Sequence, residues 1–432
     1  MATVPDPSNA AIDATARPAA GPNAGPCRGC RSDALALVVD LGRQPPAERF
    51  VRPEDLDRPD QLLDLRILVC GVCWLVQLGG EPVPAGDEPG GLAFTVSPTM
   101  RAHVDGLVAD VLAQAGGPDG SGDRRIVEVA SHGNRLAERF AARGAASVLI
   151  ESVPAYAAAA RAAGIATVGA RLTPDVAATI AANTEPADVF VDAFYLAHDP
   201  RPGEYLAGVA RLLADDGMAV FEFDHVLPVL LETQYDGFRH GHASYLSLGA
   251  FERQLRRVGL AVEDAVTTPA YGGSVRAFVR HAGRARTTER AAAILAAETD
   301  AGLEGLEAWR AFAGRVATAR AAFRDFLDER RRAGERVVAY GAPSRGNTLL
   351  NSSAVTTEDI AFAVDRAPSK HGQFLPGSRI PIEPVERIAD VRPDYLLILT
   401  WDLRDEIVGQ MAGIRAWGGR FAIPLPRLEV LD

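Results

Sequence analysis

Four cysteines and a closely spaced pair of histidines carry the most legible chemistry in this chain. Cys27 and Cys30 form one C-x2-C pair, Cys70 and Cys73 form a second, and these are all the cysteines present. Two thiolate pairs, each offered from a tight turn, make the tetrahedral set that zinc takes. With four sulfurs the site is coordinatively closed, hence structural and not catalytic. Farther along, "FRHGHASYL" sets His240 and His242 on either side of Gly241. Three readings stand for that stretch. Histidine titrates near neutrality, so either ring could act as a base. Two residues apart on a strand, the pair would share a face and could hold a metal, although no third ligand at standard spacing accompanies it. The stretch could also be an ordinary polar loop.

Two glycine-containing turns fall where α/β proteins hold ligands. "RRIVEVA" runs into "SHGNRLAERF", the position of a cofactor loop in a first α/β unit. Only Gly133 is there to let backbone approach a ligand. Glu128 points from this strand toward the same place. Glu151 ends the next strand, "VLIES", where a carboxylate can take the hydroxyls of a ribose or simply be a solvated strand end. "YGAPSRGNTLL" places Tyr340, Ser344, Arg345 and Asn347 at a second strand–loop–helix junction. It reads either as a phosphate seat or as a tight turn needing positive φ.

The elements that must position these residues follow from apolar patterning. "RRIVEVAS", "ASVLIES", "ADVFVDAF" and "GMAVFEFD" read as buried strands, with Ala-rich helices such as "PGEYLAGVARLLADDG" between them. Such alternation implies a parallel sheet covered on both faces. "RVVAYGAP", "IAFAVDRAP" and "DYLLILTW" predict a second α/β block. The expected division is a disordered tail over 1–24, a zinc-binding unit over 25–90, an α/β core over 91–283, a helical connector over 284–334, and a second α/β domain over 335–432.

The chain has 432 residues, 47% apolar and 23% charged, the balance of a soluble globular protein of two or three domains. A net charge of −11 with no basic block argues against a nucleic-acid polymer as partner. No apolar run approaches the ~18–20 residues of a membrane span, and the first residues lack the basic start and apolar core of a signal peptide. A cytoplasmic protein, monomeric or homodimeric, is expected.

The motifs "YGAPSRGNTLLN", "VDRAPSKHGQFLPGSRIPI" and "RPDYLLILTWDL" resemble the carboxy-terminal signature of nucleoside-diphosphate (TDP) sugar C-methyltransferases of antibiotic deoxysugar pathways. "QYDGFRHGHASYLSLGAFERQL", "YGGSVRAFV" and the stretch from Cys27 through "CGVCWLVQL" are similar to the same family, so the resemblance covers nearly everything after residue 25. It implies an α/β protein with a zinc-binding amino-terminal domain, a Rossmann-like core binding S-adenosylmethionine, and a second Rossmann-like domain. The sugar nucleotide is expected between the last two.

In that family a histidine removes the proton beside a keto group, and the enolate attacks the cofactor's methyl. His242 matches this base, with Arg239, His240 and His198 around the sugar. Glu128, Ser131, Gly133, Asn134 and Glu151 match the cofactor side. Phe194, Tyr340, Ser344, Arg345, Asn347, Lys370 and Arg379 match the sugar-nucleotide side.

The chain is a divergent member by this reading. The family's Tyr-His-Glu-His loop appears as Arg239-His240-Gly241-His242. The cofactor loop reads Ala130-Ser131-His132-Gly133-Asn134, and an Asn-x-Leu-Ala-His motif has become Phe194-Tyr195-Leu196-Ala197-His198. The family's paired tyrosines ahead of the core have Phe94 as their nearest aromatic. A cation such as Arg239 beside a sulfonium costs roughly 4 kcal/mol at about 4 Å and intermediate dielectric, unless it faces an acid. The expected reaction is therefore C-methylation of a nucleotide-linked 4-keto-deoxysugar. The alternatives are a homologue that epimerises or rearranges the keto-sugar without methylating, with His132 as a second acid/base, or a non-catalytic sugar-nucleotide-binding partner.

Overall fold

A computed structural model describes residues 25–83, 97–114, 124–130, 136–183 and 185–431. The expected tail over 1–24, Phe94, and the loop residues Ser131, His132, Gly133 and Asn134 lie outside the described residues.

Three sheets organise the chain. The first has the order β1 (Leu35–Gln44), β2 (Leu63–Cys70), β3 (Val76–Leu78), β9 (Ser244–Tyr245), all neighbours antiparallel. The cysteines build its turn: Cys70 ends β2, Cys73 sits in the β2–β3 hairpin, and Cys27 and Cys30 come from the segment before β1. All four sulfurs lie within 4.8 Å of one another, with Cys27–Cys73 and Cys30–Cys70 each at 3.5 Å. Thiolates bound ~2.3 Å from one zinc stand about 3.8 Å apart, so this donor set fits the ion. The fourth strand, β9, belongs by sequence to the region expected to form the core, so the amino-terminal sheet does not close on its own residues.

The second sheet has the order β6 (Thr167–Val168), β5 (Ser147–Ile150), β4 (Ile126–Val129), β7 (Ala187–Ala193), β8 (Leu213–Asp224), β11 (Ser274–His281), β10 (Leu260–Thr268). From β6 to β8 the strands are parallel, and β11 runs antiparallel to both its neighbours. The expected parallel sheet is thus mixed at one edge. "SVRAFVRH" and "LAVEDAVTT" are long enough to pair as a hairpin, which needs no crossover helix. Apolar runs such as "IVEV" are buried along their length because helices cover both faces. The strand expected from Gly217 starts earlier, at Leu213, cutting short the preceding helix Pro202–Leu212. A register shift in the β7–β8 pairing between Ala187 and Val189 accommodates the extra residues.

The third sheet has the order β14 (Ile382–Glu383), β13 (Ala363–Val364), β12 (Val337–Tyr340), β15 (Tyr395–Ile398), β16 (Arg420–Ile423), β17 (Glu429–Leu431), parallel except for β17. Both larger sheets are Rossmann-like. In each the chain reverses direction of travel at the first strand, β4 or β12, and ligands bind at such switch points beyond the carboxyl ends of the strands.

The helical stretch expected over 284–334 forms Glu289–Asp300 and Leu306–Arg332. The longer helix buries Trp309, Phe312, Val316, Phe323, Phe326 and Leu327 at helical spacing. They join one apolar core with Val39, Ile67 and Val76 of the first sheet and Val338 and Leu397 of the third. No described helix is long and apolar enough to cross a membrane.

Removing the metal should act at a distance through β9. Chelation, or Cys70→Ser, is expected to abolish bound zinc and lower unfolding stability by several kcal/mol, part of the ~10–16 kcal/mol a structural zinc contributes in small domains. Amide exchange should accelerate at Ser244 and Tyr245 while Val127 and Val129 stay protected. Zinc loss with unchanged protection at β9 would show that the hairpin does not hold that strand.

Candidate functional site

The histidine loop is suspended between the first sheet and the core. Val76 pairs with Tyr245 and Gln77 with Ser244. Leu78 N–H donates to the Ala243 carbonyl at 3.2 Å, and Val83 N–H donates to the His240 carbonyl at 2.8 Å. From the core, the Ala197 carbonyl accepts Ala243 N–H at 2.8 Å. The Tyr245 hydroxyl closes the loop, accepting Arg239 N–H at 2.8 Å and donating to the Arg239 carbonyl at 3.1 Å.

The two histidines of the loop engage different surroundings. His240 is buried with its Nε2 3.3 Å from the Leu63 carbonyl, and burial lowers its pKa. His242 is buried too, and its ring stands edge-on to that of His198 with centroids 4.5 Å apart. Its Nε2 lies 2.5 Å from Nη2 of Arg239. A guanidinium only donates, so Nε2 of His242 accepts there and carries no proton. His198 Nδ1 is 2.9 Å from the Gly241 carbonyl. A carbonyl only accepts, so this nitrogen bears the hydrogen, leaving Nε2 with the lone pair in the neutral ring. The shared-face metal pair does not form: among the described residues the four cysteines are the one group of three or more ligand-type side chains close enough to hold an ion.

His198 follows β7 by five residues, so the imidazole pair stands beyond the carboxyl ends of the parallel strands, beside the switch point at β4. Phe194 turns the chain there with φ 69° and packs edge-on to Tyr271 at 5.0 Å. Three buried carboxylates line this edge. Glu128 accepts Leu136 N–H at 2.6 Å and the Ser147 hydroxyl at 3.1 Å, bracketing the loop 131–135. Burial raises its pKa to about 7. Glu151 accepts Val153 N–H at 2.8 Å. Asp192 accepts the Tyr205 hydroxyl and Tyr195 N–H, each at 2.7 Å, and burial raises it to about 7.

Two acidic groups at the site escaped the sequence. Asp224 ends β8 half-buried, with its Oδ1 buried and without a hydrogen-bond partner among the described residues, and burial raises its pKa. Glu48, in the segment after β1, places Oε1 3.4 Å from Nε of Arg239. A Cβ at Gly241 would meet Glu48 Oε2 at 3.4 Å. Arg239 therefore faces an acid of its own chain. Only tertiary structure shows this, because nothing in "PPAERF" marks Glu48.

The residues expected to seat the nucleotide are engaged within the protein. Arg345 is buried, bonded through Nε to Asp236 at 3.0 Å and through Nη1 to the Tyr271 carbonyl at 3.0 Å. It lies 3.7 Å from Asp402 and stacks 4.5 Å over Trp401. The expectation that Arg345 seats a phosphate does not match this placement: its charge is compensated by buried carboxylates that join the core to the last domain. Asn347 is fully buried and donates to the Ala47 carbonyl at 2.7 Å. Lys370 bonds the Ala342 carbonyl at 2.9 Å and Asp365 at 3.0 Å. Arg379 bonds Asp60 at 2.7 Å, and the Tyr340 hydroxyl donates to Gln410 at 3.2 Å. Ser344 opens the helix Ser344–Ser352 directly after the switch-point turn of β12. A cavity of about 260 Å³ lies between the amino-terminal segment and the last domain, lined by Arg49, Phe50, Asp55, Arg58, Asp60 and Arg379 among others.

A family profile described as "C-methyltransferase C-terminal domain" matches residues 269–426. A second, "Putative zinc binding domain", matches residues 27–85 and so spans the whole cysteine cluster. C-methyltransferase NovU of Streptomyces niveus is 32% identical over 409 residues, 94% of this chain and 96% of that one. Solved structures that match part of this chain include an S-adenosylmethionine-dependent methyltransferase from Mesorhizobium loti, 16% identical, covering 41% of this chain and 99% of its own, with a TM-score of 0.32. Magnesium protoporphyrin IX methyltransferase from Synechocystis PCC 6803 with bound SAH is 14% identical over 43% of this chain and 89% of its own, with a TM-score of 0.33. At such scores this likeness adds nothing to what the strand order shows.

Two outcomes are expected from these buried charges. Arg345→Leu leaves Asp236 and Asp402 buried without their cation, which should cost about 3–5 kcal/mol in urea unfolding; a loss below about 1 kcal/mol would mean the network is dispensable. Glu128 titrates higher folded than unfolded, so folding takes up a proton between about pH 4.5 and 7. Its contribution is full below that window and lost as pH rises through it. Glu128→Gln should therefore shrink the stability difference between pH 5 and pH 7.5 by on the order of 2 kcal/mol.

Proposed function

This chain belongs to the C-methyltransferase family, and from that premise we propose that it C-methylates a nucleoside-diphosphate 4-keto-deoxysugar, with S-adenosylmethionine as donor and His242 as general base. The observation that carries the reading is the pairing of buried His242 with half-buried His198, 4.5 Å between ring centroids, beyond the carboxyl ends of the core strands. Relatedness to a named C-methyltransferase over 94% of the chain supports the reaction class.

The residues present suit the donor. The edge beside β4 carries Glu128, Glu151 and Asp192, acceptors for the hydroxyls and the positive charge of such a molecule, and Glu48 offsets the charge of Arg239. S-adenosylmethionine, when bound, supplies the methyl group. The protein's own part is to make and hold the nucleophile. A 4-keto group acidifies the neighbouring C–H, and the unprotonated Nε2 of His242 takes that proton. His198, fixed through Nδ1 by the Gly241 carbonyl, stands edge-on to His242 on the side of the sugar. His240 shapes the loop from behind, against the Leu63 carbonyl. At the other end, Ser344 and Tyr340 at the β12 switch point lie where a nucleotide is held. Asn347, Lys370 and Arg379 form its walls.

His242→Asn should lower methyl transfer to TDP-4-keto-6-deoxyglucose, used as a probe acceptor, by about 10²–10⁴. Binding of S-adenosylhomocysteine, followed by calorimetry, should change less than about twofold. Loss of solvent deuterium uptake at the carbon beside the ketone would accompany it. Wild-type protein that binds no cofactor yet exchanges deuterium into the sugar would be an isomerase instead. His240→Asn is expected to cost far less than His242→Asn.

A further inference from the structure

The geometry points to Glu48 as a positioning residue for His242, acting through Arg239. The inference rests on His242 being the base, but its test reads the imidazole directly. Nε and Nη2 of Arg239 lie on the same edge of the guanidinium, the edge a carboxylate takes with two parallel hydrogen bonds. His242 accepts from Nη2 at 2.5 Å, and Glu48 approaches Nε at 3.4 Å. Carboxylate and imidazole therefore draw on the same guanidinium. While Nη2 donates to His242, the lone pair that would take a carbon-bound proton is engaged. When Glu48 draws the guanidinium toward itself, that hydrogen bond weakens.

Glu48 is a third exposed at its side chain and Arg239 about a fifth, so both side chains have room to move. Asp224, half-buried at the end of β8, is a second described acid close enough to interact with Arg239.

The frame around this pair comes from the last domain. One helix, Ser344–Ser352, holds both partners' backbones: Asn347 donates to the Ala47 carbonyl at 2.7 Å, one residue before Glu48, and Thr348 donates to the Phe238 carbonyl at 2.8 Å, one residue before Arg239. Val51 and Phe374 exchange two backbone hydrogen bonds, at 2.9 and 2.8 Å, which fixes the other end of the Glu48 segment. Glu48 is thus carried by backbone tied to the nucleotide-binding side, while the group it unmasks is on the methyl-transfer side.

Diethyl pyrocarbonate acylates an imidazole nitrogen that has a free lone pair. Zinc-loaded full-length protein is treated at pH 7.5, and acylation of His242 is followed by peptide mass spectrometry with His371 as internal reference. Glu48→Gln should slow modification of His242 at least threefold, Glu48→Asp should slow it less, and Glu48→Gln with Arg239→Ala should restore or exceed the wild-type rate. A merely structural role for Glu48 would not be reversed by removing Arg239. An unchanged rate in Glu48→Gln, or a double variant as slow as Glu48→Gln, would overturn the proposal. These readings hold whether or not a methyl acceptor has been found, so they stand apart from failure of the proposed reaction.

Discussion

Two residue pairs, Val76 with Tyr245 and Gln77 with Ser244, tie the cysteine-built hairpin to the histidine loop. A strand of two residues has almost no stability of its own. It persists because β3 is held in place by a hairpin whose turn is closed by four sulfurs, and because Tyr245 folds back onto the Arg239 backbone. The metal-binding unit is thus continuous with the site. The direction of the His242 ring descends through main-chain hydrogen bonds from an ion that touches no substrate.

Charge at the site is organised by the same economy of position. Three acids, Glu128, Glu151 and Asp192, stand buried at the strand ends beside β4, accepting from backbone N–H groups and hydroxyls. The arginines pair elsewhere: Arg345 with Asp236 across the domain seam, and Arg239 with Glu48. The strand-end edge is therefore acidic, and the guanidinium beside His242 is matched by an acid, Glu48, nearly two hundred positions away in the chain.

What was legible in the sequence was what local pattern encodes. Continuous apolar runs such as "IVEV" and "VVAY" became buried parallel strands, and cysteine spacing gave the cluster. The histidine stretch showed itself by residue type. What was not legible depends on which distant segments meet. Ser244–Tyr245 is too short to read as a strand and exists only by pairing with β3. Glu48 looks like any surface glutamate until folding brings it against Gly241. Arg345 reads as a phosphate ligand from its turn, and only the burial of Asp236 and Asp402 beside it shows where its charge is used. The antiparallel edge of the second sheet was hidden because an apolar run does not announce its direction.

The helix Ser344–Ser352 contributes three anchors across the seam: Arg345 to Asp236 and Tyr271, Asn347 to Ala47, and Thr348 to Phe238. Each is buried, and each would leave an unpaired polar group if the surfaces parted. The carboxy-terminal block is therefore not a cassette. A chimera that exchanges it alone would graft foreign donors onto the acceptors at 47, 236 and 238, so residues 45–51 and 234–245 must travel with it. The last domain and the histidine loop are thus linked through one short helix, and diversification of such chains proceeds by substitution around that seam rather than by shuffling across it.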